Sequence, residues 1–362
     1  MELNARALKI LTTLGRDPTC TNQELSQACG ISPVSAKKHL EDLYADKVVL
    51  GVSAQVDSFA VGLEPIIVMA EVGPENWKTY EKSLDIHPYT KYRIRCFGNC
   101  IGVFSLFAIP PHSDQHIVDF MERLEEREIV REYKLVTPIM NILTVETNFD
   151  YYDPEKEWLF DWDQWEKALV NIEPQSLDRP NRSVLHRLDS ADMRILRQLS
   201  KDSRRKSREI AAEAGVEPYH LSRRRKVMEK IGVIQGYRVL AGMHLLQLTS
   251  HAIIKCKCPV DTTYRVAAAV KMLPFQSTFI QTLEGFVLYT TTTAIDFPIL
   301  VTILLEQCDS AEISWCDYRS SFRYWFYDKP FKDGEWNDDH DYMVETVVSE
   351  LEEYIGGTNK KG

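Results

Sequence analysis

The side chains of this 362-residue chain best placed to act on a ligand are basic. Lys201, Arg204, Arg205, Lys206 and Arg208 stand close together, and Arg223, Arg224, Lys226 and Lys230 follow at helical spacing. Residues 185–240 hold 14 Lys and Arg against seven Asp and Glu. Cations so gathered neutralise phosphates and release their counterions, which gives affinity for nucleic acid independent of sequence. Tyr219, His220, Ser222 and Arg223 add ring, hydroxyl and guanidinium groups that can read base edges. The whole chain carries a formal charge of −10, which by itself argues against a nucleic-acid partner. The local excess overrides that average. Residues 1–55 are balanced, with six basic and six acidic side chains, and offer Ser35, Lys37, Lys38 and His39 in the corresponding place.

The elements that must position these groups emerge from an internal repeat. Shifted by 185 positions, Leu3–Gly51 lies on Leu188–Gly236 without a gap and gives 10 identical pairs in 49. Chance would give roughly three. Each copy reads as helix, short turn with glycine, helix, then a strand-forming wing, the grammar of a winged helix-turn-helix. Thr21 and Glu24 form a capping box, Gly30 and Gly215 end the second helix, and Pro33 and Pro218 open the third. Arg225 occupies the position of Leu40, so its register points it to the core, where it needs a carboxylate partner.

After each helical unit the apolar period changes from 3.6 to 2, and the element order βαββαβ marks a ferredoxin-like domain. Expected strands in the first copy include Pro65–Val72, a hairpin around Gly98-Asn99, and a closing strand Leu135–Glu146. The expected fold class is α+β, with winged helix-turn-helix and ferredoxin-like domains duplicated in tandem. Its divisions are 1–55, 56–147, an acidic aromatic helical linker 148–184, 185–238, 239–327, and an acidic tail 328–362. In the linker, Trp158, Trp162, Trp165 and Leu169 fall on one helical face, with Asp153-Pro154 as cap and first turn. In the tail, Val344, Val347, Val348, Leu351 and Ile355 form an apolar stripe that predicts a terminal helix.

The anchors of the second copy run Leu188-Asp189-x-x-Asp192-x-x-Ile195-Leu196, Glu209-Ile210-Ala211, Gly215-Val216-x-Pro218 and Gly232-Val233-Ile234-x-Gly236-Tyr237. This series resembles the Lrp/AsnC (feast/famine) transcriptional regulators. The resemblance implies a winged helix-turn-helix joined to a RAM-type ferredoxin-like domain that binds an effector and mediates oligomerisation. It covers about 1–147 and 185–327. Gly102 and Gly285-Phe286 look like the glycine of the family's effector-site strand. Neither is followed by the acidic residue common there, which disfavours a free amino acid as effector.

Other chemistries have thinner support. Cys96-x-x-x-Cys100, Cys256-x-Cys258 and His112-x-x-x-His116 lack the paired spacing of a four-ligand zinc site, so no metal and no cofactor is expected. No phosphate-cradling glycine loop or catalytic motif occurs. Siroheme decarboxylases resemble a fused pair of Lrp/AsnC-like units; His87, Tyr89, Tyr92 and Arg93 are the nearest approach to their histidines and aromatics. The chain has no apolar run long enough for a transmembrane helix and no signal-peptide pattern, and eight cysteines are too few for a disulfide scaffold. The expectation is a cytoplasmic, non-enzymatic regulator. Its partners would be double-stranded DNA, a small-molecule effector and further copies of itself through the RAM-type domains. The alternatives are a siroheme-decarboxylase-like enzyme, or a metabolite-sensing or protein-interaction module whose helix-turn-helix units are relics.

Overall fold

The structure, a computed structural model, describes residues 4–178 and 181–359. Leu3, where the repeat begins, and the last residues of the acidic tail lie outside them. The first winged unit comprises α1 (Ala5–Arg16), α2 (Asn22–Cys29), α3 (Pro33–Ala45) and wing strand β1 (Val49–Val56). Local chemistry sets its boundaries. Asn4 accepts from the N–H groups of Arg6 and Ala7, the Thr21/Glu24 capping box forms, and Gly30 takes φ 66° to end α2. Each such cap contributes about 1 kcal/mol.

The first ferredoxin-like domain follows as β2 (Glu64–Glu71), α4 (Trp77–Ile86), β3 (Thr90–Gly98), β4 (Gly102–Ile109), α5 (Asp114–Glu126) and β5 (Glu132–Val136). The expected closing strand Leu135–Glu146 is broken. Pairing to β2 stops at Val136, and a separate strand β6 (Leu143–Val145) pairs elsewhere. The linker then makes a small hairpin, β7 (Tyr152–Asp153) and β8 (Glu157–Trp158), before helix α6 (Trp162–Asn171). Asp153-Pro154 therefore starts a turn, not a helix. Asp161, accepting from Gln164 N–H, is the cap.

The second copy supplies α7 (Ser190–Asp202), α8 (Ser207–Ala214), α9 (Pro218–Lys230) and wing strand β9 (Ile234–Ala241). Its ferredoxin-like domain is β10 (Ser250–Lys257), α10 (Val260–Val270), β11 (Ser277–Thr282), β12 (Gly285–Thr292), α11 (Asp296–Gln307) and β13 (Ser310–Arg323). A two-strand turn, β14 (Phe331–Lys332) and β15 (Glu335–Trp336), precedes one π-helical turn and the terminal helix α12 (Thr346–Asn359). The tail stripe is used: Met343, Val344, Val347, Val348 and Leu351 are buried, and α12 packs on α4.

The two copies are joined twice. Their wings pair antiparallel, β1 with β9, from Val49↔Ala241 to Val56↔Ile234. Their sheets merge into nine strands in the order β5-β2-β4-β3-β13-β10-β12-β11-β6. The seam is an exchange. Strand β13 of the second copy pairs with β3 of the first, and β6 of the first pairs with β11 of the second. Ile67, Met69, Ile94 and Phe104 from one domain meet Ile253, Ile280 and Val287 from the other in a shared core. One chain thus contains the pairing that two single-unit chains would need association to make.

Two buried histidines make the fold acid-sensitive. His87 packs edge-on to Phe107 at 5.0 Å, its Nδ1 accepts from Tyr89 N–H at 3.2 Å, and burial pushes its pKa down to about 3. His251 stacks on Tyr318 at 4.3 Å, and burial lowers its pKa to about 4. Both are neutral in the fold and free to take a proton when unfolded. Their contribution is full above the ordinary pKa of 6.5 and is lost as pH falls below it. Each adds up to about 1.4 kcal/mol per pH unit to the acid limb. Urea unfolding from neutral pH to pH 5 should show a smaller slope in His87→Gln than in the parent; equal slopes would contradict the assignment.

Candidate nucleic-acid interface

Helix α9 is held by Leu221 and Met228, which are buried against Ile210, Ala211 and Ala214 of α8. That packing turns the opposite face outward. Tyr219 is 74% exposed, and His220, Ser222, Arg223, Lys226 and Lys230 are exposed beside it. Among the described residues, no carboxylate lies within salt-bridge range of Arg223, Lys226 or Lys230. Lys206 and Arg208 at the start of α8 are also exposed; Lys206 has only a 3.5 Å contact with Glu209. The result is an aromatic and cationic ridge facing solvent at the turn between two helices.

Three of the expected contact residues do not belong to that ridge. Arg204 reaches into the first winged unit and donates to Pro18 O at 3.1 Å and Cys20 O at 2.5 Å. Arg205 pairs with Glu213 at 3.2 Å and donates to Gln198. Arg224 donates to Asp189 at 2.9 Å and Asp192 at 2.8 Å, which ties α9 to the start of α7. The hydrogen bond to Asp192, then that to Asp189, hold the Arg224 guanidinium charged against its partial burial. These arginines brace the winged units through intramolecular partners. Arg225 is structural as its register suggests, bonded to Glu229 at 3.0 Å and lying over the Tyr237 ring at 4.5 Å.

Arg204 separates the two roles experimentally. Arg204→Ala removes a clamp between the winged units, and a charge-assisted hydrogen bond is worth about 2 kcal/mol. It should lower the unfolding free energy from urea titration by that much while leaving the salt dependence of DNA binding unchanged. A reduced salt slope would return Arg204 to the contact surface.

In the first copy, α3 shows Val34 at 80% exposure with Lys37 and Lys38, while Ser35 and His39 are half-buried. Lys37 is opposed by Glu41 at 3.6 Å. Val34 was missed as a surface position, although the repeat places it opposite Tyr219. Glu41 falls opposite Lys226, so the two helices present opposite charge at the same place.

A family model described as winged helix-turn-helix DNA-binding matches this chain twice, at residues 3–49 and 188–235. The leucine-responsive regulatory protein of Rhizobium meliloti (strain 1021) is 34% identical over 84 residues, 23% of this chain and 54% of that protein. The chain thus carries two winged helix-turn-helix units of the DNA-binding kind in tandem. Its match spans about half the length of that curated relative. A crystal structure of the siroheme decarboxylase NirDL superposes with a TM-score of 0.54 at 15% identity, over 96% of this chain and 99% of that one. A second NirDL structure, in complex with an iron-uroporphyrin III analogue, gives the same TM-score at 14% identity. The duplicated architecture is therefore shared across the full length.

The three residues expected around an effector lie inside the sheet. A Cβ on Gly102 would sit 1.9 Å from Ala70 O, and one on Gly285 2.3 Å from Cys256 O. Both glycines let neighbouring backbone approach. Phe286 is fully buried and stacks on Phe279 at 4.9 Å.

The remaining constellations do not converge either. Tyr89 stays beside His87 but donates its hydroxyl to Asn337 O, Tyr92 joins Tyr289 and Ser321, and Arg93 pairs with Glu81 and Asp85, and none of the four lines the central cavity. His116 meets Asp119 and His340 rather than His112, their ligand atoms lying within 4.8 Å of one another. All eight cysteines are free thiols. No described helix is long and apolar enough to cross a membrane.

Proposed function

We propose that this protein with two winged helix-turn-helix units is an Lrp/AsnC-type DNA-binding transcriptional regulator, without enzymatic activity, that reads an asymmetric site. One chain supplies two reading helices fixed to each other through paired wings. The reading is carried by the ridge of α9, where Tyr219, Ser222, Arg223, Lys226 and Lys230 face solvent without acidic partners. Its counterpart α3 is electrically balanced, so the second unit supplies most of the phosphate affinity and the first acts mainly through fit. A homo-oligomer built on this internal pairing would join two such unequal halves into a palindrome.

Binding to double-stranded DNA, measured by fluorescence anisotropy between 50 and 300 mM salt, tests the proposal. Neutralising about four phosphates gives a slope near −3.6 in log K against log salt. Absent or salt-independent binding would instead favour an interaction module with relic helix-turn-helix units.

A second reading is an enzyme acting on a tetrapyrrole. It is favoured by the full-length match to the siroheme decarboxylase. Against it, no histidine lines the large central cavity of this chain, and His87 is sealed between Phe107 and Phe120. Iron-uroporphyrin III titrated into the protein should leave the Soret band unperturbed; a saturable shift followed by loss of carboxylate would establish the enzyme.

A further inference from the structure

A cavity of about 580 Å³ lies at the centre of the molecule. Its walls come from both wing strands, from the ends of β4 and β13, from the segments at 141–144 and 175–178, and from α10. That volume is within the range of small-molecule sites. The cations on its wall are Lys91, Arg238, Lys271 and Arg323, and the carboxylates are Asp57 and Asp178.

The interior charges do not balance. Asp57 is consumed by the N–H groups of Phe59 and Ala60 and by the side-chain amides of Asn181 and Gln235. Asp178 and Lys271 are exposed at the rim. Arg238, only 12% exposed, has Glu146 behind it at 3.7 Å, and its Nε is buried without a partner. Among the described residues, Lys91 and Arg323 form no salt bridge; the half-buried Glu146 acts on Arg323 from beyond that range, and each cation rests on a ring, Phe326 at 4.7 Å and Tyr92 at 5.5 Å. The cations disturb one another. Burial, then Arg323, pushes Lys91 down to about 8, and the same two causes lower Arg238 to about 10. Largely buried cations without counter-charges are costly, and an anion delivered to them recovers that cost.

From this excess of cations, three against the single half-buried Glu146, we infer that the central cavity is a binding site for a small molecule carrying at least two anionic groups, held by Lys91, Arg323 and the free edge of Arg238. Carboxylates and phosphates share the required chemistry. A ligand there touches β1 and β9 together, the strands that lead from the two reading helices, so its occupancy bears on how those helices are held. This effector position differs from the glycine strands expected from the sequence. It stands on the cavity alone, and its failure would leave the DNA-binding reading intact.

Calorimetric titration of the full chain with citrate, with inorganic pyrophosphate, and with acetate as a singly charged control tests the inference. The expected result is one saturable site for citrate or pyrophosphate, at least tenfold tighter than acetate. Binding of one and not the other identifies the carboxylate or phosphate source. Lys91→Met and Arg323→Gln should each weaken it at least tenfold, and Arg323→Lys should restore part of the loss. Neither loss variant leaves a buried carboxylate unpaired, and thermal unfolding verifies that both are folded. Arg223→Ala with Lys226→Ala should leave the site unchanged. Absence of saturable binding, equal affinity for acetate, or affinity that survives Lys91→Met and Arg323→Gln would overturn the inference.

Discussion

Arg223→Ala combined with Lys226→Ala is expected to weaken DNA binding by roughly 2 kcal/mol or more, about thirtyfold. Lys37→Ala with Lys38→Ala should cost several times less. Arg223 and Lys226 are exposed and free of acidic partners, so their charge is available to phosphate. Lys37 already has Glu41 at 3.6 Å, and the first unit as a whole carries no net charge. The α9 pair should also reduce the salt slope by about two, one for each released counterion contact. The check is an anisotropy series on one fragment at fixed salt, repeated at three salt concentrations. Equal losses from the two pairs would remove the asymmetry on which the reading rests.

Trp165→Ala carries the largest expected effect on stability. Trp165 is 1% exposed, its Nε1–H donates to Ala269 O at 2.8 Å, and its ring meets Trp162 edge-on at 5.6 Å. Truncation removes the ring, leaves a cavity and strips a carbonyl of its donor. Such changes cost about 3–5 kcal/mol. The same apolar cluster runs from α1 and α3 of the first winged unit through α6 to α10 and α11. Loosening α6 therefore loosens the seating of that unit. Trp165→Phe, which keeps most of the buried area, should lose much less. Urea midpoints with an unchanged m-value decide it, and an unaltered midpoint in Trp165→Ala would mean that α6 is not a docked strut.

Much of this architecture was legible because the repeat carries its own punctuation. Gly30 and Gly215 both take φ 66°, and Pro33 and Pro218 both open the reading helix, so the two winged units declare themselves locally. The alternation that marks the ferredoxin-like strands is local too. The exchange at the seam is not. Leu143–Val145 has the composition of a closing strand in either sheet, and only the three-dimensional path shows that it leaves β2 for β11. The linker helix was displaced because Trp158 shares the spacing of Trp162 and Trp165 but belongs to a hairpin strand.

The interface was read with a similar division. Register along α9 places Arg225 and Arg223 on different faces, since burial of Leu221 and Met228 fixes them, and Arg225 finds a carboxylate partner in Glu229. It could not reveal that Arg204 finds carbonyl partners on the other winged unit, nor that Arg224 meets two aspartates of α7. Basic side chains look alike in sequence, and only their distant partners sort clamps from contacts. Gly102 and Gly285 are ambiguous in sequence for a related reason: glycine permits close approach by backbone, which the sheet uses here, as readily as by a ligand. The cavity cations Lys91, Arg238 and Arg323 come from three separated strands, and no local signal unites them.

The central claim is that one chain reads duplex DNA with two unequal helices. Hydroxyl-radical footprinting of the full chain, on a fragment selected from sheared genomic DNA by binding, tests it most directly. The account predicts two protected patches about one helical turn apart. One should be strongly protected and should disappear in the Arg223→Ala/Lys226→Ala variant, while the other is weaker. A single patch, two patches of equal strength, or no selected fragment at all would contradict it.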